Sequence, residues 1–227
     1  MGSSRFPGKM LAELGEFTII DWVIQRMKRS KNIQQIVLAT SVQKHNDVLD
    51  EVAYKHGISV FRGSEDDVLN RFSEAAKYYQ ADIVVRICAD NPFVAPEEID
   101  RLVNFFMTHP CDYACNHQEL LGNGYADGFG GEIFNANLLK ALDQIKMKPD
   151  DREHVTLYLL KHPDQYSILS VPAPKGLNFP ELKYDVDTIE DLLNLKNLVN
   201  NGITIESDAV NIVKLSHLLK NEPSSTY

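Results

Sequence analysis

The sequence predicts an α/β protein whose mostly parallel sheet is covered by helices on both faces. Two observations carry this. Short apolar runs rich in β-branched residues, such as "QQIVLAT" and "DIVVRIC", alternate with segments of helical period. No internal repeat or long polar linker divides the 227 residues, so the expectation is one domain spanning 1–227.

The elements follow in order. Thr18 and Asp21 form a T-x-x-D capping box ahead of Ile19, Ile20, Val23, Ile24 and Met27, which share one helical face. The strand "QQIVLAT" comes next, then a helix with Val48, Leu49, Val52 and Ala53 inward that stops near Gly57, then the strand "ISVF". Ser64 with Asp67 reads as a second capping box before Val68, Leu69, Phe72, Ala75, Ala76 and Tyr79. The strand "DIVVRIC" runs into "ADNPF", and Pro96 suits the first turn of a helix carrying Ile99, Leu102, Val103 and Phe106. Between about Asp112 and Phe134 the rhythm breaks, because "NHQELLGNGYADGFGGEIF" has five glycines and no helical period. This excursion is expected to form a hairpin arm for substrate or subunit contact. Helices resume at Ala136 to Ile145 and Asp151 to Lys161, with strands near "YSILSV" and "LKYDV". Thr188 and Asp191 cap a helix through Leu192, Leu195 and Val199, and a last helix covers Asp208 to Leu219.

Composition excludes several classes. The formal charge of −9 disfavours a nucleic-acid polymer as partner, since polyanion binding needs a basic face. No apolar run approaches the roughly 20 residues that span a bilayer, and a cytoplasmic location is expected. Cys88, Cys111 and Cys115 are odd in number, and Cys111 and Cys115 are too lightly supported by neighbouring histidine for a zinc site, so free thiols are expected.

The chemistry-bearing stretches are three. "MGSSRFPGKM" resembles a phosphate loop, yet five residues separate Gly2 from Gly8 where a P-loop has four, and Met10 replaces the metal-holding Ser or Thr. Pro7 and Gly8 instead shape a turn that presents Lys9, while Arg5 offers a planar donor to phosphate oxygens. Asp90 stands just past a strand end, where ligands of open α/β sheets bind and where a carboxylate can hold Mg²⁺. "YDVDT" places Asp185 and Asp187 two apart at another strand end, so both point to one side and can share a hard cation. Each aspartate alone also reads as a loop or cap residue. Together with the loop they favour a metal–triphosphate site.

These stretches, with "FRGSEDDVLNRF", "RICADNPFVAPEEID", "DGFGGEIF", "DREHVT" and "YDVDTIEDL", resemble the cytidylyltransferases of the spore-coat-polysaccharide type, relatives of the CMP-sialic acid (acylneuraminate) and CMP-3-deoxy-octulosonate synthetases. The resemblance implies the nucleotide-diphospho-sugar transferase type of α/β/α sandwich, and a reaction of CTP with a sugar acid to give a CMP-sugar and pyrophosphate. It implies that Lys9 and Arg5, helped by backbone N–H groups of Gly2, Ser3 and Ser4, hold the triphosphate. Asp90, Asp185 and Asp187 then bind Mg²⁺, and Arg62 and Arg71 lie beside the nucleoside. For the sugar, Asp127 and Glu132 are candidates to accept hydrogen bonds from hydroxyls, and Arg152 and His154 to meet the carboxylate. Arg86, inside an apolar strand, needs a buried partner, with Asp90 or substrate as candidates. A homodimer paired through the excursion is expected by analogy.

The sequence departs from the family pattern at its start, because the strand that usually delivers the phosphate loop is not in it. The expectation is a gap between two unpaired strand edges, closed by the sheet itself or filled by another segment. "ADNPF" also replaces the commoner "GDCPL". A nucleotide-sugar glycosyltransferase and an inactive sugar-nucleotide-binding protein are the rival readings; the basic loop coming first and "DVD" late suit a nucleotidyltransferase.

Overall fold

The computed structural model describes residues 6–117 and 121–221. After a short turn at Lys9–Leu11, strands β1 (Glu13–Leu14) and β2 (Phe17–Thr18) pair as a small antiparallel ribbon that leads into helix α1 (Ile19–Met27). The capping box forms as expected: Thr18 Oγ1 accepts from the Asp21 amide and the Asp21 carboxylate accepts from the Thr18 amide. Two buried groups lock α1 in place. The Trp22 indole donates to the Leu14 carbonyl at 2.7 Å, and the Arg26 guanidinium donates to the carbonyls of Val94, Ile205 and Ser207. Burial, with the neighbouring charge of Arg29, pulls the Arg26 pKa down to about 10, and these carbonyls replace the water it has lost.

Strands β3 (Val37–Ser41) and β4 (Ser59–Gly63) pair in parallel through the crossover helix α2 (Val48–His56), which ends on Gly57 in the left-handed region. Helix α3 (Val68–Tyr78) covers both strands, and its cap differs from expectation. Asp67 is the N-cap, accepting from the Asn70 amide, while Ser64 accepts from the Asp67 amide one turn earlier.

Strand β5 (Ile83–Arg86) and helix α4 (Pro96–Thr108) lead into β6 (Tyr113–Cys115), β7 (Glu132–Asn135) and β8 (Ile168–Ser170). These form a four-stranded sheet in the order β5-β7-β6-β8. The expectation of a mostly parallel sheet holds with one exception: β7 runs antiparallel to both neighbours, while β6–β8, like β3–β4, is parallel. β6 and β7 are joined by the glycine-rich segment 116–131, whose described residues form no α-helix of the kind that usually carries a parallel crossover.

The same segment is not a projecting arm. Its ends are strands inside the sheet, and Tyr125, Ala126 and Phe129 are buried with Leu182, Tyr184 and Val186. Gly128, at φ +100, makes this possible, since a Cβ there would lie 2.7 Å from the Tyr184 carbonyl carbon. Residues 118–120 of this segment lie outside the described ones.

Helix α5 (Ala136–Asp143) packs on α3. The helix expected over Asp151 to Lys161 is split into α6 (Pro149–Glu153) and α7 (Leu157–Lys161), because Thr156 turns its hydroxyl inward to the Glu132 carboxylate. "LKYDV" forms bridges rather than a strand, with Lys183 paired to Asp127. Helix α8 (Ile189–Asn200) carries the expected Thr188–Asp191 box, and α9 (Ala209–Asn221) closes the chain's described part. Among the described residues no helix is long and apolar enough to cross a membrane. Cys88, Cys111 and Cys115 form no disulfide with one another.

Between β3 and β5 the sheet is interrupted. A slot of 680 Å³ is walled by Val37 and Ala39 on one side and Ile83 and Val85 on the other, with Ala75 and Val103 among the covering helical side chains. Gln35 and Asp82, just before the two strands, share this slot, whereas Thr40, Ser41 and Ala89, at or beyond their ends, share a different cavity. The two strands therefore run the same way. Among the described residues no strand pairs with either facing edge. The expected gap is present, and the sheet does not close over it.

Candidate active site

The site assembles where β5 ends and the 185–187 segment passes it. The Val186 amide donates to the Asp90 carbonyl at 2.9 Å, which brings Asp90 beside Asp185 and Asp187. Lys9 reaches in from the N-terminal turn. Its ammonium donates to Asp90 Oδ2 at 2.7 Å and to the Val186 carbonyl at 2.8 Å, and lies 3.5 Å from Asp187 Oδ1. Lys183 stands on the other side, 3.1 Å from Asp185, 3.6 Å from Asp187 and 3.3 Å from Asp191.

Four carboxylates feel one another here. Burial, with the charges of Asp187 and Asp90, raises the Asp185 carboxyl above its ordinary value. Burial and the neighbouring Asp185 push Asp127 up to about 6, so the proposed sugar ligand Asp127 sits on the acidic cluster. Among the described residues no three Asp, Glu, His or Cys side chains form a ready-made metal cage. The expected metal ligands are neighbours, but two lysine ammonium groups lie among them and offset their repulsion. The donor set nonetheless fits a hard divalent cation, which takes carboxylate and carbonyl oxygens. Asp185 Oδ1 is buried with no hydrogen-bond partner, an acceptor that a cation would satisfy.

Next to this cluster lies a cavity of 540 Å³, with Met10 and Ala89, the chain neighbours of Lys9 and Asp90, on its wall. Arg71 lines it as expected. Its Nη1 donates to the Ser64 carbonyl, while its Nε is buried and unpartnered. Asn46, also on the wall, gives its amide N–H to Ser41 and leaves Oδ1 buried without a donor. Sequence reasoning missed Asn46, Thr40 and Ser41. The available signal was position, since Thr40 and Ser41 end a buried parallel strand.

Several expected residues are engaged elsewhere. Arg62 is held by Asp47, Asp50 and the carbonyls of Ser41 and Gln43, which turns its guanidinium away from the cavity to tie the end of β3 to α2. Arg152 joins Asp67 to Asp143, stapling α6 to α3 and α5, and His154 is exposed beyond it. Neither lines the cavity beside the cluster. Glu132 is fully buried, its carboxylate engaged inside the protein. It is the partner that Arg86 requires, and it also accepts from the hydroxyls of Tyr113 and Thr156 at 2.7 and 2.6 Å. Burial would raise its pKa, but Arg86 holds it low. Gly2, Ser3, Ser4 and Arg5 lie outside the described residues.

The site thus joins a lysine at the N-terminal turn, carboxylates beyond β5 and in the 185–187 segment, and an adjoining cavity. A sequence model of cytidylyltransferases matches residues 1–217. The chain belongs to the cytidylyltransferase family. It is 34% identical over 230 residues to the spore coat polysaccharide biosynthesis protein SpsF of Bacillus subtilis, covering 99% of this chain and 92% of that protein. It is 28% identical over 172 residues to a 3-deoxy-manno-octulosonate cytidylyltransferase of Bdellovibrio bacteriovorus, covering 74% of this chain and 62% of that one. A solved cytidylyltransferase from Leptospira borgpetersenii superimposes with a TM-score of 0.91 at 30% identity, covering 100% of this chain and 95% of the other.

Proposed function

We propose that this cytidylyltransferase uses CTP and Mg²⁺ to activate an acidic sugar, giving a CMP-sugar and pyrophosphate for a surface polysaccharide or glycan. The observation that carries the reading is the pairing of two halves of one site. A cavity with an orphaned acceptor, Asn46 Oδ1, and an orphaned donor, Arg71 Nε, adjoins a carboxylate cluster closed by Lys9. Cytosine carries an exocyclic N–H donor and ring acceptors, and can answer both orphaned atoms. The names of SpsF and the octulosonate enzyme support a sugar acid destined for polysaccharide.

In the reaction a sugar hydroxyl oxygen attacks the α-phosphorus and gives up its proton to solvent, the bond from the α-phosphorus to the bridging oxygen breaks, and pyrophosphate leaves with that oxygen. When bound, Mg²⁺ neutralises phosphate charge and lowers the pKa of the attacking hydroxyl. Lys9 donates to phosphate oxygens, and Asp90, Asp185 and Asp187 hold the cation. Arg71 and Asn46 fix the base, so that the α-phosphorus is presented in line. With Arg152 and His154 engaged or remote, the partly exposed Arg86 guanidinium, ion-paired with Glu132, is the basic group for the sugar carboxylate. The proposed reaction belongs in the cytoplasm, where CTP is available.

The test is pyrophosphate release from CTP and Mg²⁺ across a panel of sugar acids, with CTP binding followed by calorimetry. Release that depends on one class of sugar acid is expected. Absence of CTP binding, or release from a nucleotide-sugar instead, overturns the reading.

A further inference from the structure

We propose that Lys9 is a built-in stand-in for the divalent cation. Its ammonium closes the carboxylate site in the protein without ligands, and it leaves that place for the triphosphate when the cation arrives. The inference rests on the metal–CTP reading above and adds an order of events to it.

The geometry is that of an exchange. The Lys9 ammonium has three oxygen neighbours drawn from two separate segments: Asp90 Oδ2 at 2.7 Å, the Val186 carbonyl at 2.8 Å and Asp187 Oδ1 at 3.5 Å. Two carboxylates and a carbonyl are the ligand types a hard cation takes, so the ammonium and the cation draw on the same atoms. Both cannot be there together, because their charges repel at short range in a largely enclosed site; the Lys9 side chain is 11% exposed. Lys183 does not fill the place from the other side. It meets Asp185, Asp187 and Asp191 and has no bond to Asp90 among the described residues.

The turn that carries Lys9 is built to move it. Gly8, immediately before, sits at φ 73 and ψ 10 in the left-handed region, and Lys9 opens a single short turn through Leu11 rather than a long helix. A small rotation at Gly8 swings the four-carbon stem away from Asp90. The 540 Å³ cavity begins at Met10, one residue on, so the displaced ammonium has phosphate oxygens within reach when nucleotide is bound. An unliganded site filled by a tethered cation also keeps four mutually repelling carboxylates together.

The test measures Mn²⁺ binding by the loss of the free-ion signal in electron paramagnetic resonance, without nucleotide, for the wild type, Lys9→Ala and Asp187→Asn. Melting curves confirm that each variant is folded. Removing the competing ammonium is expected to tighten Mn²⁺ binding on the order of tenfold in Lys9→Ala, the effect of one partly screened charge. The same variant should bind CTP on the order of tenfold more weakly when Mn²⁺ is saturating, from loss of a charged hydrogen bond. Opposite signs for the two ligands are the signature. Unchanged or weaker Mn²⁺ binding in Lys9→Ala, with binding lost in Asp187→Asn, overturns the exchange and leaves the metal site standing. No Mn²⁺ binding in any of the three overturns the metal reading and the exchange together.

Discussion

Replacing Glu132 by Gln isolates one charge in the interior. Glutamine has the same shape and keeps an oxygen for the hydroxyls of Tyr113 and Thr156, but it leaves the Arg86 guanidinium without its counter-ion. Removing one member of a buried ion pair costs about 3–5 kcal/mol. Arg86 keeps 20% of its side-chain exposure and lies 6.0 Å from the Phe72 ring centroid, so the lower end applies, about 3 kcal/mol. For a chain of this length each kcal/mol moves the melting temperature by about 2–4 °C, so a fall of roughly 6–12 °C is expected. The assay is urea and thermal unfolding of Glu132→Gln, Arg86→Met and the double variant. The double variant should lose clearly less than the sum of the singles, because it leaves no unpaired charge. Additivity within about 0.5 kcal/mol refutes the pairing argument. Unchanged stability of Glu132→Gln with lost sugar binding would return Glu132 to the role of a sugar ligand.

Three further outcomes are expected. The carboxyl of Asp21, 4% exposed, is held down at about 2 against the opposing effect of burial by His56, Thr18 and Lys55. Its folded pKa lies below the unfolded value of about 3.9, so the stability it contributes is present above that pH and is lost as pH falls from about 4 towards 2. Melting temperatures measured across that window should fall less steeply in Asp21→Asn; an unchanged slope counts against the assignment. Arg71→Met should weaken CTP binding on the order of ten- to a hundredfold, whereas Arg62→Ala should leave CTP affinity unaltered and only lower the melting point slightly. Calorimetry showing equal losses would mean that both face the nucleotide. Ala75→Leu, on the α3 wall of the slot, should raise stability by about 0.5–2 kcal/mol by filling space, and a lower melting temperature would show that no usable space exists there.

The parts of the fold governed by local chemistry were legible in the residues. The boxes at Thr18–Asp21 and Thr188–Asp191 involve atoms three residues apart, and both form as read. The gap beside β3 was legible too, because a fold class dictates which edges must be paired. What escaped was set by distant contacts. The glycines of 122–131 looked like a loop free to project, yet their smallness is what lets that segment lie against Tyr184 in the core. Glu132, Arg152 and Arg62 carried the right charge for ligands, but each is consumed by a partner between 9 and 46 residues away in sequence, which composition cannot display. Asp90 was placed by the end of β5 and Lys9 by the loop, whereas the strand end expected before Asp185 and Asp187 is only a bridge at Lys183, and Arg71, inside α3, came from the resemblance. Asn46 was not found, since nothing in "KHND" marks an amide oxygen left over after its N–H is used.

The interrupted sheet has a mechanical consequence for ligand binding. Thr40 and Ser41 belong to the β3–β4 half, and Ala89 follows β5 in the other half, so the 540 Å³ cavity straddles the division. Among the described residues no backbone ladder crosses between the halves, and the width of the cavity is therefore set by side-chain packing, which yields more readily than a row of hydrogen bonds. A nucleotide lodged there acts as a strut between two half-sheets. Its grip and their spacing are one variable, so the amides on the facing edges of β3 and β5, interior by position, should exchange with solvent like surface groups until the strut is in place.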